Sequence, residues 1–253
     1  MNIFRKLEIN GGRIENPAPG QYNLILPPVS QGYADAQIDD YGRLTRRNYP
    51  WQPGTRLELK ARFSHDESQL IGTAGFGFWN APFGDPTVPW PTLPQAAWFF
   101  YGSPPTDLPL AFEGVGRGWF ASTINARSHK ALMLIPAAPL VLLFNQFRPL
   151  RQRIWPPVRE RLGITFQPLP HDMTHWHTYR LDWEKTGCTF FVDGRQILQT
   201  TASPGGPLGF VCWLDNQYLV LTVRGRFAWG TKPTSQKQSL HITNLELNPI
   251  PTP

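Results

Sequence analysis

The sequence has 253 residues, of which 41% are hydrophobic and only 17% are charged. This apolar share supplies a sizeable core and excludes a disordered chain. The formal net charge of +6 favours acidic partners only weakly, and no RNP, zinc-finger or helix-turn-helix pattern accompanies it, so no nucleic-acid binding is expected.

The first twelve residues and the two cysteines bear on the cellular compartment. Arg5 and Lys6 are not followed by an apolar run of the length that a signal peptide requires, so we expect no leader and a cytoplasmic location. Cys188 and Cys212 are too few for a disulfide framework and lie within apolar, strand-like runs. We expect both to be buried free thiols.

Short runs with apolar residues at every second position, bounded by Gly and Pro, dominate the chain. In Thr55–Phe63, leucine, alanine and phenylalanine alternate with arginine, glutamate and lysine, which is the pattern of a strand buried on one side. Similar runs occur at 72–79, 95–101, 118–124, 177–183, 189–192, 208–214, 218–223 and 239–247. We therefore predict a single all-β sandwich domain over residues 1–253, with at least eight strands.

Two segments interrupt the strand pattern. Residues 82–109 are rich in proline around the strand-like stretch 95–101, which predicts rigid loops flanking that strand. Residues 126–170 contain an apolar run at 131–144 that is too short, and too broken by proline, to span a bilayer.

The second half of the 126–170 segment predicts the one helix of the chain. Apolar residues recur there at helical spacing, with arginines on the other faces. They are Phe147, Leu150, Ile154, Val158 and Leu162. Three roles stay open: a lid over a cleft, a membrane-surface contact through 131–161 in which the arginines meet lipid phosphates, or an extra helix packed on the edge of the sandwich.

Asp193-Gly194 stands between two apolar runs and predicts a tight hairpin, since Gly takes the positive φ that such a turn demands. The surrounding segments, Trp-His-Thr-Tyr-Arg-Leu-Asp-Trp from residue 176 and Thr-Phe-Phe-Val-Asp-Gly from residue 189, resemble the "FHxYxxxW…ffVDG" motif of glycoside hydrolase family 16. Upstream, residues 56–63 resemble that family's "GRFEARIK" strand, and residues 74–80 resemble its "WPAFWML" strand.

The resemblance implies a curved, antiparallel jelly roll of the concanavalin A-like lectin and glucanase superfamily, with one helical insert. It also argues against the usual activity. The family's "GEIDIMEYVG" strand aligns with residues 94–102, where Gln95, Ala97 and Phe100 stand in place of three catalytic carboxyl groups. Retaining hydrolysis needs two carboxyl groups, and no Glu or Asp occurs between Asp85 and Asp107.

In such a fold, the outward side chains of the concave sheet line an open cleft. Alternation predicts that Gln95, Phe99 and Tyr101 share the cleft face of one strand, and that Trp213 and Asp215 share the cleft face of another, with Phe210, Cys212 and Leu214 turned to the core. The full set of candidate ligand-binding residues is Gln95, Phe99, Tyr101, Trp213, Asp215, Asn216, Arg117 and Trp119.

For several polar residues, the sequence leaves both a functional role and a structural role open. Asp215 and Asn216 either hydrogen-bond a ligand at the cleft edge or form an Asx-type turn. Glu113 and Asp215 are the candidates for relocated catalytic acids, and Glu113 is otherwise a solvated loop carboxylate near Arg117.

Cofactors are not expected. His171, His175 and His177 with Asp172 fit no known zinc spacing, so no metal ligands are assigned. The resemblance implies that a structural calcium ion on the convex side stays an open alternative, because one occurs in related proteins, and the sequence identifies no ligands for it.

The sequence thus leaves three hypotheses. The first is a binding protein or non-hydrolytic enzyme whose partly lidded aromatic cleft holds a small apolar or glycosylated molecule. The second is a lectin-like binder of oligosaccharides, and the third is a glycosidase that uses relocated acids.

Overall fold

The computed structural model describes residues 4–83, 90–111 and 114–251, and two antiparallel seven-stranded sheets make up most of it. The first sheet consists, in order across the sheet, of β1 (Arg5–Ile9), β4 (Asp35–Asp39), β13 (Gly209–Asp215), β6 (Thr73–Trp79), β7 (Gln95–Gly102), β8 (Gly118–Asn125) and β9 (Gln167–Pro168). The second consists of β12 (Arg195–Thr200), β11 (Gly187–Val192), β10 (His177–Glu184), β5 (Thr55–Phe63), β16 (Gln238–Pro249), β3 (Tyr22–Leu26) and β2 (Arg13–Glu15). The predicted jelly-roll sandwich is confirmed.

A hairpin and three helices complete the described part of the chain. The hairpin pairs β14 (Gln217–Leu221) with β15 (Phe227–Thr231) outside both sheets. The helices are α1 (His129–Leu132), α2 (Ala138–Phe144) and α3 (Arg148–Arg161), and short 3-10 turns lie at Arg46–Asn48 and Ile135–Ala137. No helix among the described residues has the length and apolar character needed to cross a bilayer.

Side chains from the facing sides of the two sheets form the inter-sheet core. On β5 the alternating residues Leu57, Leu59, Ala61 and Phe63 are buried there, as their spacing predicts. Both cysteines are buried free thiols, which confirms the expectation from sequence. The tight turn at Asp193 and Gly194 is also confirmed, because both residues have positive φ and join β11 to β12.

The helical prediction was correct for α3 but incomplete. Most of residues 131–144 is also helical, in the end of α1, the 3-10 turn Ile135–Ala137 and α2, which the sequence pattern did not predict. Pro136 and Pro139 lie in the first turns of their helices, where a missing N–H costs nothing, so they start helices here and do not break them. Ser128 caps α1 by accepting a hydrogen bond from the Ala131 N–H.

Candidate functional site

The first sheet has an outer face, which points away from the second sheet. Several aromatic side chains lie on this outer face and not in the inter-sheet core. Val211 and Trp213 of β13 lie on this outer face, and Phe210, Cys212 and Leu214 lie in the inter-sheet core, as predicted. Asp215 continues the outward series at the end of the strand.

The prediction for β7 and β8 had the wrong face. Phe99, Tyr101 and Trp119 lie in the inter-sheet core, so the expected position of these three side chains in the cleft is wrong. Tyr101 donates its hydroxyl to the backbone oxygens of Glu67 and Leu70. Because side chains alternate with a period of two, a shift of one residue in the assignment exchanges the two faces of a strand.

Trp98, Phe100 and Phe120 are therefore the outward aromatic residues of β7 and β8. Their rings contact one another and Trp213, with centroid distances of 5.2 Å from Trp98 to Phe100 and 5.5 Å from Phe100 to Trp213. Phe100 and Phe120 stack at 5.3 Å. These four residues form the floor of what we call the outer cluster.

The 126–170 segment covers the outer cluster. Trp155 and Val158 of α3 are buried in it, and the helical segment adds four partly buried side chains, Leu134, Val141, Ile154 and Leu162. Arg159 fastens α3 by donating to the Leu110 backbone oxygen over 2.6 Å. The helical part of the segment therefore packs on the outer face of the first sheet, and β9 of the same segment forms the edge strand of that sheet.

Two polar atoms in the outer cluster have no acceptor among the described residues. They are the indole N–H groups of Trp98 on β7 and Trp155 on α3, and both side chains are more than nine-tenths buried. A buried donor without an acceptor costs about 1–3 kcal/mol, so a water molecule or a ligand atom between the sheet and the insert is favoured at these positions.

An open pocket of about 480 Å³ lies at the end of the sandwich where β7 begins and β8 ends. We call it the end pocket. Its volume is within the range of small-molecule sites. Four separate stretches of chain line it, contributing Arg46, Arg47, Thr92, Gln95, Asn125, Arg127, Ser128, Gly205, Gly206 and Pro207.

Polar and basic side chains contribute to the wall of the end pocket. Gln95 donates from Nε2 to Oδ1 of Asn125 over 2.8 Å, and Asn125 donates in turn to the Ser203 backbone oxygen. Arg46 is anchored by donation to the backbone oxygens of Asn80 and Ala81, at 2.8 Å and 2.7 Å.

Two further arginines of the end pocket, Arg47 and Arg127, are exposed. Of the candidate residues named from sequence, only Gln95 lines this pocket. Arg46 and Arg47 lie in a 3-10 turn, Asn125 ends β8 and Arg127 follows it, and no spacing in the sequence connects these two stretches of chain.

Asp215 is buried at the edge of the outer face. Its Oδ1 accepts hydrogen bonds from the Thr73 N–H, the Thr73 hydroxyl and the Gln217 N–H. Burial raises the pKa of Asp215 to about 6, although these hydrogen bonds act in the opposite direction. The bond to Gln217 forms an Asx-type turn, one of the two interpretations of this residue that the sequence favours.

Asp35 lies directly opposite Asp215 in the register of β4 and β13. Its pKa is raised well above the ordinary value by burial, and the neighbouring Asp215 carboxylate adds to the effect. Glycosidases use a pair of nearby carboxyl groups for catalysis. Both are almost completely buried, however, and neither lines the end pocket.

The remaining candidates do not converge on one site. Asn216 is fully buried, and its amide accepts from Ala34 and donates to Gly32 and Lys232, all backbone groups, which favours the turn interpretation over a ligand contact. Arg117 is exposed before β8 and does not line the end pocket. Glu113 lies outside the described residues.

The histidines near β10 form a local hydrogen-bonded group. His171 Nε2 is 2.7 Å from the Tyr179 hydroxyl and accepts from the Trp119 indole at 3.2 Å, while His177 contacts Asp193. Within the described ranges, no three His, Cys, Asp or Glu side chains are grouped to hold a metal ion.

No protein-family model and no curated protein sequence matches the chain. Solved structures with a similar arrangement of strands include an endo-β-1,4-glucuronan lyase from Trichoderma reesei, at 10% identity and a TM-score of 0.47, covering 96% of this chain and 89% of that one. A β-glucanase from Bacillus licheniformis matches at 12% identity and 0.47, covering 96% and 90%.

A third similar structure is a pseudo β-1,3-glucanase of Mycobacterium tuberculosis, at 13% identity and a TM-score of 0.45, covering 87% of this chain and 72% of that one. Two of these three proteins are named for their action on a polysaccharide, and the third is named a pseudo-enzyme. At this level of identity no activity, substrate or catalytic residue is carried over from them.

Proposed function

We propose that the chain is a binding protein for acidic oligosaccharides and that the end pocket is its binding site. The observation that carries the proposal is the concentration of three arginines and a hydrogen-bonded Gln95–Asn125 pair around one open pocket of about 480 Å³.

The arginines support an anionic group on the ligand. Guanidinium groups bind carboxylate and sulfate with two parallel hydrogen bonds, and Arg46 is held at the wall by its bonds to two backbone oxygens. Because that geometry is fixed before the ligand arrives, little side-chain entropy remains to be lost on binding.

The other lining groups support a ligand rich in hydroxyl groups. Side-chain amides and hydroxyls both donate and accept, as the hydroxyls of sugars also do, and Gln95, Asn125, Thr92 and Ser128 supply them. None of the described residues that line the pocket is acidic, so the site lacks the carboxyl pair that retaining hydrolysis uses. Binding without cleavage is therefore the proposed activity.

Calorimetric titration with soluble polyuronate and sulfated oligosaccharides, alongside neutral β-glucan oligosaccharides, tests this proposal. We expect binding of the acidic sugars, and roughly tenfold weaker binding by Arg47→Gln or Arg127→Gln, since each removes one charge-assisted contact. Arg195→Gln, at the exposed hairpin of the second sheet, is the matched control. Equal affinity for neutral glucans, or release of new sugar ends by the pure protein, would contradict the proposal.

A second candidate is the binding of a small apolar or glycosylated ligand between the insert and the outer cluster. The unsatisfied indole N–H groups of Trp98 and Trp155 favour it, because a ligand with an acceptor oxygen meets both the apolar and the polar requirement. Native mass spectrometry of freshly purified protein tests it through the mass of any retained molecule. We expect such a molecule to be lost in Trp155→Phe, and its absence from the unaltered protein argues against this candidate.

A further inference from the structure

The insert exposes many large apolar side chains on its solvent side. They belong to all three helices and their links, and comprise Leu132, Met133, Ile135, Leu140, Leu142, Leu143, Phe144, Phe147 and Leu150. Isolated exposed leucines are common on protein surfaces, but a cluster of this size is typical of an interaction surface.

The β14–β15 hairpin extends this cluster. Phe227 is 62% exposed and Trp229 is 68% exposed. Leu221 pairs with Phe227 across the hairpin, and the alternation along β15 places Trp229 on the same face of the ribbon.

The insert and the hairpin are bonded to each other at the turn. Asn145 donates from Nδ2 to the Val223 backbone oxygen over 3.0 Å, and Gln146 donates from Nε2 to the Arg224 backbone oxygen over 2.9 Å. The exposed apolar residues of both elements therefore lie on one connected surface, which we call the apolar surface.

Positive charge accompanies the apolar surface. Besides Arg127 in the end pocket, the exposed cations of the insert and the hairpin are Lys130, Arg148, Arg153, Arg161, Arg224 and Arg226. Glu160 is the only acidic residue in the sequence from 114 to 171, and residues 216–245 contain none. A second copy of the chain would bring these cations face to face, so their charge disfavours self-association through this surface.

We propose that the apolar surface docks on the headgroup region of a bilayer containing anionic lipids. Apolar side chains of amphipathic helices enter the boundary between headgroups and acyl chains, while arginines reach the phosphates. Tryptophan is enriched at that depth, which suits Trp229 at the edge of the surface.

Vesicle co-sedimentation with the full chain tests the proposal. We expect binding to phosphatidylcholine vesicles that contain about 30% phosphatidylglycerol, little binding to phosphatidylcholine alone, and release by added salt. Arg148→Gln with Arg153→Gln is expected to weaken binding roughly 25-fold, at about fivefold for each cation near an anionic surface. Lys60→Gln with Arg195→Gln, both exposed on the second sheet, is the matched control and keeps full binding.

The apolar part of the surface needs a separate readout, because the arginines alone could bind any polyanion. Leu140→Ser with Leu143→Ser is expected to weaken vesicle binding on the order of tenfold, without changing the binding of acidic oligosaccharides. Trp229→Phe is expected to keep vesicle binding but to lose most of the fluorescence quenching by brominated lipid, whereas Trp176→Phe keeps that quenching.

Three outcomes overturn the proposal. One is the absence of binding to anionic vesicles, and another is binding that the leucine variant leaves unchanged. The third is a dimer in light scattering that dissociates in the leucine variant, since the surface would then join two copies of the chain. None of these results bears on the end pocket, so the proposed function stands or fails independently.

Discussion

Gln95, the first residue of β7, donates its side-chain N–H to the carboxamide oxygen of Asn125, the last residue of β8, over 2.8 Å. Gln95→Glu keeps the shape of the side chain but replaces this donor with a negative charge inside the end pocket. We expect about tenfold weaker binding of acidic oligosaccharides, because the carboxylate repels the anionic ligand and offsets one arginine.

Isothermal titration of the Gln95→Glu protein measures this change. The matched control is Gln199→Glu, which adds the same charge at an exposed position of β12. Unchanged affinity in the Gln95→Glu protein would mean that the ligand does not bind near Gln95.

Asp215→Asn is expected to stabilise the protein near neutral pH. The folded-state pKa of Asp215 is about 6, above the ordinary value near 4, so the folded protein holds a proton that the unfolded chain releases. Stability from this group is therefore lost as pH rises from about 4 to 6, and the neutral amide avoids the loss. Its Oδ1 can keep the acceptor role toward Thr73 and Gln217.

Urea unfolding of the Asp215→Asn protein at pH 4 and pH 7.5 is the measurement. We expect a gain of about 1–3 kcal/mol at the higher pH and little change at the lower one. A loss of stability at both pH values would mean that the ionised carboxylate is the favoured form in the fold.

His171 makes the protein less stable in mild acid. Burial lowers the pKa of His171 to about 4, with the neighbouring His177 acting in the same direction. Nε2 accepts from Trp119 and faces the Tyr179 hydroxyl, which favours the neutral ring. The unfolded chain binds a proton near pH 6.5 and the folded chain does not, so stability falls as pH decreases from about 6.5 to 4.

His171→Gln removes the group that titrates and keeps a polar side chain at the site. Thermal unfolding followed at several pH values should then show a shallower decline between pH 6.5 and 4 than in the parent protein. An equally steep decline would assign the acid sensitivity to other groups.

Phe99→Ala is expected to destabilise the protein by about 3–5 kcal/mol, because it leaves a cavity in a close-packed core. The ring of Phe99 contacts Phe76, Tyr179 and Phe190 at centroid distances of 5.1–5.4 Å. Phe83→Ala, at an exposed position, is the control and should change stability little. If the Phe99→Ala protein had normal stability but no longer bound sugar, Phe99 would lie in a binding cleft and not in the core.

The strands could be predicted from sequence because alternation on β5 and its neighbours follows directly from one buried face. Alternation could not show which face of β7 points to the inter-sheet core. Residues 96–101 are all apolar, apart from the hydroxyl group of Tyr101. A continuous apolar run is typical of a strand buried on both faces, and this signal pointed to the cover that α3 provides.

The end pocket could not be predicted from the sequence, for a different reason. Its arginines and amides come from positions 46, 47, 95, 125 and 127, which are brought together only by sheet pairing and loop paths. Gln95 was named because of its place in the family motif. The others carried no local signal, since an exposed arginine in a loop has the same pattern whether or not it faces a pocket.

The centre of the outer face of the first sheet is covered by the insert and not by solvent. Excising residues 126–163 to reopen a sugar groove would uncover the rings of Trp98, Phe100 and Phe120, and Ser122, which lies opposite Trp98 in the register of β7 and β8, is the polar residue beside them. We expect such a shortened chain to aggregate through these exposed rings. Engineering toward polysaccharide recognition therefore has to begin by replacing the three residues with hydrophilic ones.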